Sequence, residues 1–167
     1  MAKRIAWTVG FCLAAALLQS TLLSRLALYR AVPDLALAII VYTAYINGTM
    51  TGQLSGFFAG FLQDLLSASP LGFNAFIRTL IGALAGLLKG AFFLDFFLLP
   101  MALCLGATLL KALTVFLLHF VLSGAVPSYN FVSLSFWCEL GLNTLTAPLV
   151  FGFLRRFSSL FEGRRES

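Results

Sequence analysis

The feature that most constrains this chain is a succession of six apolar runs with short connections between them. They lie at 5–24, 34–46, 52–66, 74–90, 100–123 and 132–154. A helix that crosses the hydrocarbon core of a bilayer needs about 20 mostly apolar residues, with a range of roughly 17–25. No connection is long enough to fold alone, so the chain is expected to work inside or against a membrane. Composition points the same way: 60% of the residues are hydrophobic and 10% are charged, at a mean hydropathy of +0.99. Ordinary globular domains carry about 25% charged residues. A soluble enzyme, a disordered tail and a disulfide scaffold are excluded. The expected fold is one all-α integral membrane domain over residues 1–167, with six transmembrane helices.

The second and third runs are short. Joined as one helix over 34–66 they would reach about 50 Å, too long to stand upright in a bilayer. Asn47-Gly48-Thr49 between them is a turn signal, and Thr51 is expected to cap the following helix. The two runs are therefore read as a tight hairpin, and a glycosylation sequon at Asn47 on the inner side carries no weight. Lys3 and Arg4 precede the first run; Arg155, Arg156, Arg164 and Arg165 follow the last, against Glu162 and Glu166. Lys- and Arg-rich flanks stay on the cytoplasmic side. Both termini are expected there, which requires an even number of spans; Arg25 and Arg30, in the first outer loop, run against the rule. The first run is read as a retained span because its apolar core exceeds the about 7–15 residues of a signal peptide. Cys12, Cys104 and Cys138 lie in apolar runs without metal-type spacing and read as small apolar filler.

Two four-residue ladders mark the third and fourth runs. Gly52, Gly56 and Gly60 lead to Asp64; Arg78 leads to Gly82, Gly86 and Gly90. Small residues four apart form a ridge along which helix backbones approach closely. A weaker ladder, Ala6, Gly10, Ala14, occupies the first run. Consecutive spans run antiparallel, which puts Asp64 and Arg78 at the same outer end. Two arrangements are open: the residues pair with each other, or each reaches interfacial water separately. Between them Pro70 and Gly72 have turn chemistry, and Asn74 is expected to cap the next helix.

The last two runs carry Lys111, His119 and Glu139. Counted inward along the helices from the outer ends, His119 lies about 6 Å deep, Glu139 about 11 Å and Lys111 about 18 Å. Ionisable residues at such depth are costly and mark function by default. Three readings stay open: a proton relay between Glu139 and His119, a structural Glu139–Lys111 pair, or a contact with a partner protein. Pro148 is expected to kink the last span, with Asn143 facing the bundle near the freed carbonyls. The phenylalanines of 92–97 are expected to anchor in the headgroup zone.

The chain has no GxxxxGK[ST], HExxH, GxSxG or GxGxxG, and its single histidine excludes a multi-histidine metal site. No basic stripe with interleaved aromatics suggests nucleic acid. No cofactor, no metal and no enzyme chemistry are expected.

Val32-Pro33-Asp34-Leu35, the block from Gly56 to Leu66 that includes Gly60 and Asp64, Pro70-Leu71-Gly72, and Asn143 to Phe151 with Pro148, followed by Arg155-Arg156, together resemble the bacterial rod shape-determining family MreD. The resemblance covers most of 32–156. It implies a component of the cell-elongation machinery in the bacterial cytoplasmic (inner) membrane. Such a protein binds the single-span MreC and works with RodA, a class B penicillin-binding protein and, indirectly, MreB. It further implies a fold similar to the S components of energy-coupling-factor transporters. Lys111, His119 and Glu139 belong to no motif of the family. Two functions follow as expectations: a non-catalytic scaffold that docks a partner's span and positions peptidoglycan synthases, or a small-molecule-binding S component or transporter subunit.

Overall fold

The computed structural model describes residues 1–21, 31–67, 69–91, 97–121 and 131–161. Arg25, Arg30, Phe92, Phe93, Phe96 and the charges beyond Phe161 lie outside the described residues. Among the described residues the regular elements are all helices: α1 (Ala2–Thr21), α2 (Leu35–Asn47), α3 (Thr49–Leu66), α4 (Phe73–Leu87), α5 (Leu98–Val121), α6 (Leu134–Arg156) and α7 (Ser158–Phe161).

The arrangement is built around α2. Every residue from Ala36 to Ala44 is buried. A helix that is apolar all round has no face to give to water and belongs inside. It packs against α1, α3, α4, α5 and α6. Its 13 residues make it about 20 Å long, shorter than a bilayer's hydrocarbon core of about 30 Å. Its length suits a place among other helices. By length and apolarity, α5 is the helix among the described residues that can cross a bilayer by itself.

A series of polar contacts sets α1 antiparallel to α2. Arg4 Nη1 donates to Asn47 Oδ1 at 3.1 Å, the Thr8 and Thr43 hydroxyls meet at 3.2 Å, and Cys12 Sγ donates to the Ala36 carbonyl at 3.7 Å. Gln19 Nε2 closes the far end on the Pro33 carbonyl. Hydroxyls and thiols that satisfy each other across a helix pair can be buried without leaving polar groups unpaired.

The turn between α2 and α3 is Gly48 alone, with φ at +96°. That left-handed value is open to glycine and strained for other residues. It reverses the chain so sharply that α3 starts at Thr49. Thr51 therefore lies buried in the first turn, and the cap expected of it does not form.

The closest helix pair is α3 with α4. A Cβ at Gly56 would strike the Arg78 carbonyl, one at Gly52 the Gly82 carbonyl, one at Gly60 the Asn74 carbonyl, and one at Gly86 the backbone of Thr49. The two ladders interlock in one antiparallel register, backbone on backbone. Gly90 is the exception to the expected ladder. α4 ends at Leu87, and Gly90 turns away with φ at +72° and nothing within 4 Å of a Cβ.

Beyond Pro148, α6 continues to Arg156, and the chain then folds back. α7, which the hydropathy pattern does not announce, brings fully buried Phe161 against the rings of Phe11 (5.3 Å) and Tyr42 (5.9 Å).

Alanine at Gly56 or Gly82 should destabilise the bundle by about 1–3 kcal/mol, the usual cost of overpacking. Alanine at Gly10 or Gly106, where a Cβ meets nothing, should leave stability equal or raise it by up to about 1 kcal/mol. Denaturant unfolding in detergent micelles measures both.

Candidate functional site

Polar residues of α4, α5 and α6 converge on Asp34, at the start of α2. Pro33 keeps the lead-in extended, and Asp34 follows as the N-cap of α2, its Oδ1 accepting from the Leu37 N–H at 3.0 Å. The cap holds a carboxylate at a helix end inside the bundle, where it is 9% exposed. Arg78 reaches it from α4, with Nη2 3.1 Å from Oδ1. Lys111 reaches it from α5, with Nζ 2.9 Å from Oδ2. The same Nζ lies 2.8 Å from Glu139 Oε1 on α6. The four side chains are two cations and two anions, equal in formal charge among the described residues.

A line of neutral groups extends it. The Asp34 N–H donates to Asn143 Oδ1 at 2.6 Å, Asn143 Nδ2 donates to Thr108 Oγ1 at 3.0 Å, and Thr108 donates to the Cys104 carbonyl at 2.8 Å. Asn143 therefore faces the bundle, as the sequence suggests, and its amide ties α6 to α2 and α5. In α6 the threonine hydroxyls bond back to carbonyls, Thr144 to Leu140 and Thr146 to Leu142.

Lys111 and Glu139 differ in depth along their helices, and the four-carbon lysine stem spans the difference. His119 sits two turns further along α5, with its ring edge-on to Phe120.

Asp64 does not pair with Arg78. It lies against the start of α4, where Oδ2 accepts from the N–H groups of Gly72 (3.0 Å) and Ala75 (3.0 Å). Oδ1 accepts from the Asn74 N–H (2.9 Å), the Asn74 amide (2.9 Å) and the Ser69 hydroxyl (3.2 Å). The first N–H groups of a helix have no partner within it. Here a carboxylate from the preceding helix supplies one, placed at the positive end of the α4 dipole. Asn74 thus serves Asp64 instead of capping α4. Gly72, at φ +94°, bends the chain so that its own N–H joins the set, and the Pro70 carbonyl accepts from Phe73. With its lone pairs spent on amides, Asp64 leaves Arg78 to Asp34.

Asp34 is the site residue that sequence reasoning missed. Its signal was an acid directly after proline and before an apolar run, where a helix cap is also a charge that the bundle buries.

Removing one member of a buried charge set leaves the others uncompensated, at a cost of about 3–5 kcal/mol. Arg78→Leu should therefore destabilise the protein by about that much. Adding Asp34→Asn, which restores charge balance and keeps a capping oxygen, should recover part of the loss. Asp64→Asn should simply add to Arg78→Leu, because the two residues share no contact. Stabilities of the singles and doubles in micelles decide this.

Residues 1–157 match the family model described as rod shape-determining protein MreD. No curated protein and no solved structure matches the chain. The matched range runs from α1 through α6, and so includes the α3–α4 glycine interface, the Asp64 cap and all four residues of the charge cluster. The chain belongs to the MreD family of membrane proteins, whose role is rod shape determination.

Proposed function

We propose that this protein is a non-catalytic scaffold of the cell-elongation complex in the bacterial cytoplasmic membrane. In this reading α1 to α6 are six spans with both termini inside, arranged as in the S components of energy-coupling-factor transporters. The protein docks the span of MreC and helps position RodA and a class B penicillin-binding protein, with MreB engaged indirectly. The observation that carries the reading is how polar and apolar residues are distributed. Asp34, Arg78, Lys111 and Glu139 are spent on holding helices together, while the outer surface presents large apolar side chains. On α5 alone Leu105, Leu109, Leu113 and Leu117 are exposed. Between α4 and α5 runs an apolar groove of about 530 Å³, in which Gly106 leaves open space. Small residues beside bulky ones are what a helix needs to dock in lipid, where packing drives association.

MreC should co-purify with the protein in mild detergent. Gly106→Phe, which fills the groove, should reduce recovery of MreC about tenfold, an amount set by about 1.4 kcal/mol of lost packing, while leaving the thermal midpoint unchanged. Depletion should turn rods round, and Gly106→Phe should fail to restore them. Full recovery of MreC with Gly106→Phe would remove the groove from the scaffold reading.

A further inference from the structure

Beside the charge cluster, between the ends of α1 and α3 and the start of α2, lies a cavity of about 330 Å³. Its polar wall is Gln19, Ser20, Gln63, Asp34 and Lys111; Ala16 and Val32 supply the apolar part. The volume sits at the low end of the roughly 300–1,000 Å³ usual for ligand sites, enough for a sugar ring or a glycerol unit.

The hydrogen-bonding state of the wall narrows the chemistry. The Gln63 amide makes no hydrogen bond among the described residues, so it offers two N–H donors and a carbonyl oxygen. Gln19 spends its Nε2 on the Pro33 carbonyl, and its oxygen is open. Arg78, which pairs with Asp34 of the wall, is 4% exposed, and its Nε and Nη1 have no partner among the described residues. Donors and acceptors thus stand side by side, and the groups open to a ligand, the Gln63 amide and the Gln19 oxygen, are uncharged. An uncharged ligand needs no counter-charge from such a wall. Hydroxyls both donate and accept, which suits a mixed wall. The C–H faces of a polyol suit Ala16 and Val32.

We infer that this cavity binds a neutral, hydroxyl-rich headgroup, the vicinal-diol chemistry shared by glycerol-headed and sugar-headed lipids. The cavity lies at the helix ends and takes the headgroup while the acyl chains stay in the bilayer. Gln63 is the principal binding residue, and Gln19 and Ser20 complete the wall.

Native mass spectrometry of the full chain, released from micelles doped in turn with three lipids, tests this. The probes are glucosyl-diacylglycerol, a monoacylglycerol, whose glycerol head is an uncharged vicinal diol, and phosphatidylethanolamine, which has no hydroxyl in its headgroup. Retention of the first, the second or both above the third is expected, and shows whether sugar or glycerol is the source. Gln63→Leu should weaken that retention about tenfold, the usual consequence of losing a buried hydrogen-bonding group. Ala16→Leu, which fills the cavity and leaves every polar group in place, should do the same with an unchanged thermal midpoint. Equal retention of all three lipids, or diol retention undiminished in both variants, would overturn the assignment.

Discussion

Asp34 carries a charge in a place where charge is costly. It is held there because it caps a buried helix and because two cations from different helices reach it. In a medium of low dielectric an ion is tolerated only when its partners are close and its remaining lone pairs are occupied. Meeting that condition fixes much else. Arg78 must come from α4 and Lys111 from α5; Lys111 in turn needs Glu139 from α6, and Asn143 holds the Asp34 backbone in place. Three helices, α4, α5 and α6, are thereby set in register around the start of α2. A hydrophobic contact could slide by a residue at little cost. A shared carboxylate could not.

The protein handles its two buried aspartates differently. Asp34 is paired with charged side chains that arrive from distant parts of the sequence, while Asp64 is stabilised by backbone N–H groups 8, 10 and 11 residues further along. The second solution demands close approach of α3 and α4, which the glycines provide. The ladders and the Asp64 cap are thus parts of one device, since a Cβ on either ladder would push the carboxylate away from the amides it serves.

Much of this was legible in the sequence. Four-residue spacing read as close packing because a helix brings such positions onto one ridge, and the interlocked register of Gly52, Gly56, Gly60, Gly82 and Gly86 shows that face in use. Lys111 and Glu139 could be seen as a possible pair because the depth of Glu139 falls between His119 and Lys111, within reach of a long lysine stem. The partner of Arg78 was not legible, because depth and helix end do not reveal azimuth: Asp64 and Asp34 both lie at the same end of the bundle. Only the way α2 inserts between its neighbours decides which carboxylate faces the guanidinium. Gly90 followed the ladder spacing but falls beyond the end of α4, and helix ends are poorly marked where glycine and lysine follow an apolar run. α7 was invisible because a four-residue helix has no periodicity to read.

The placement of the charge cluster along the chain has a consequence for biosynthesis. Asp34 and Arg78 can meet once α4 has left the ribosome, and the α3–α4 hairpin, with its cap supplied across a short loop, can form as one unit. Lys111 then adds a positive charge to a cluster that was already balanced. Its counter-charge, Glu139, is made 28 residues later. Until α6 is made, a nascent or truncated chain therefore brings Lys111 to the Asp34–Arg78 pair without the carboxylate of Glu139, so the cluster is completed only by the last long helix of the bundle.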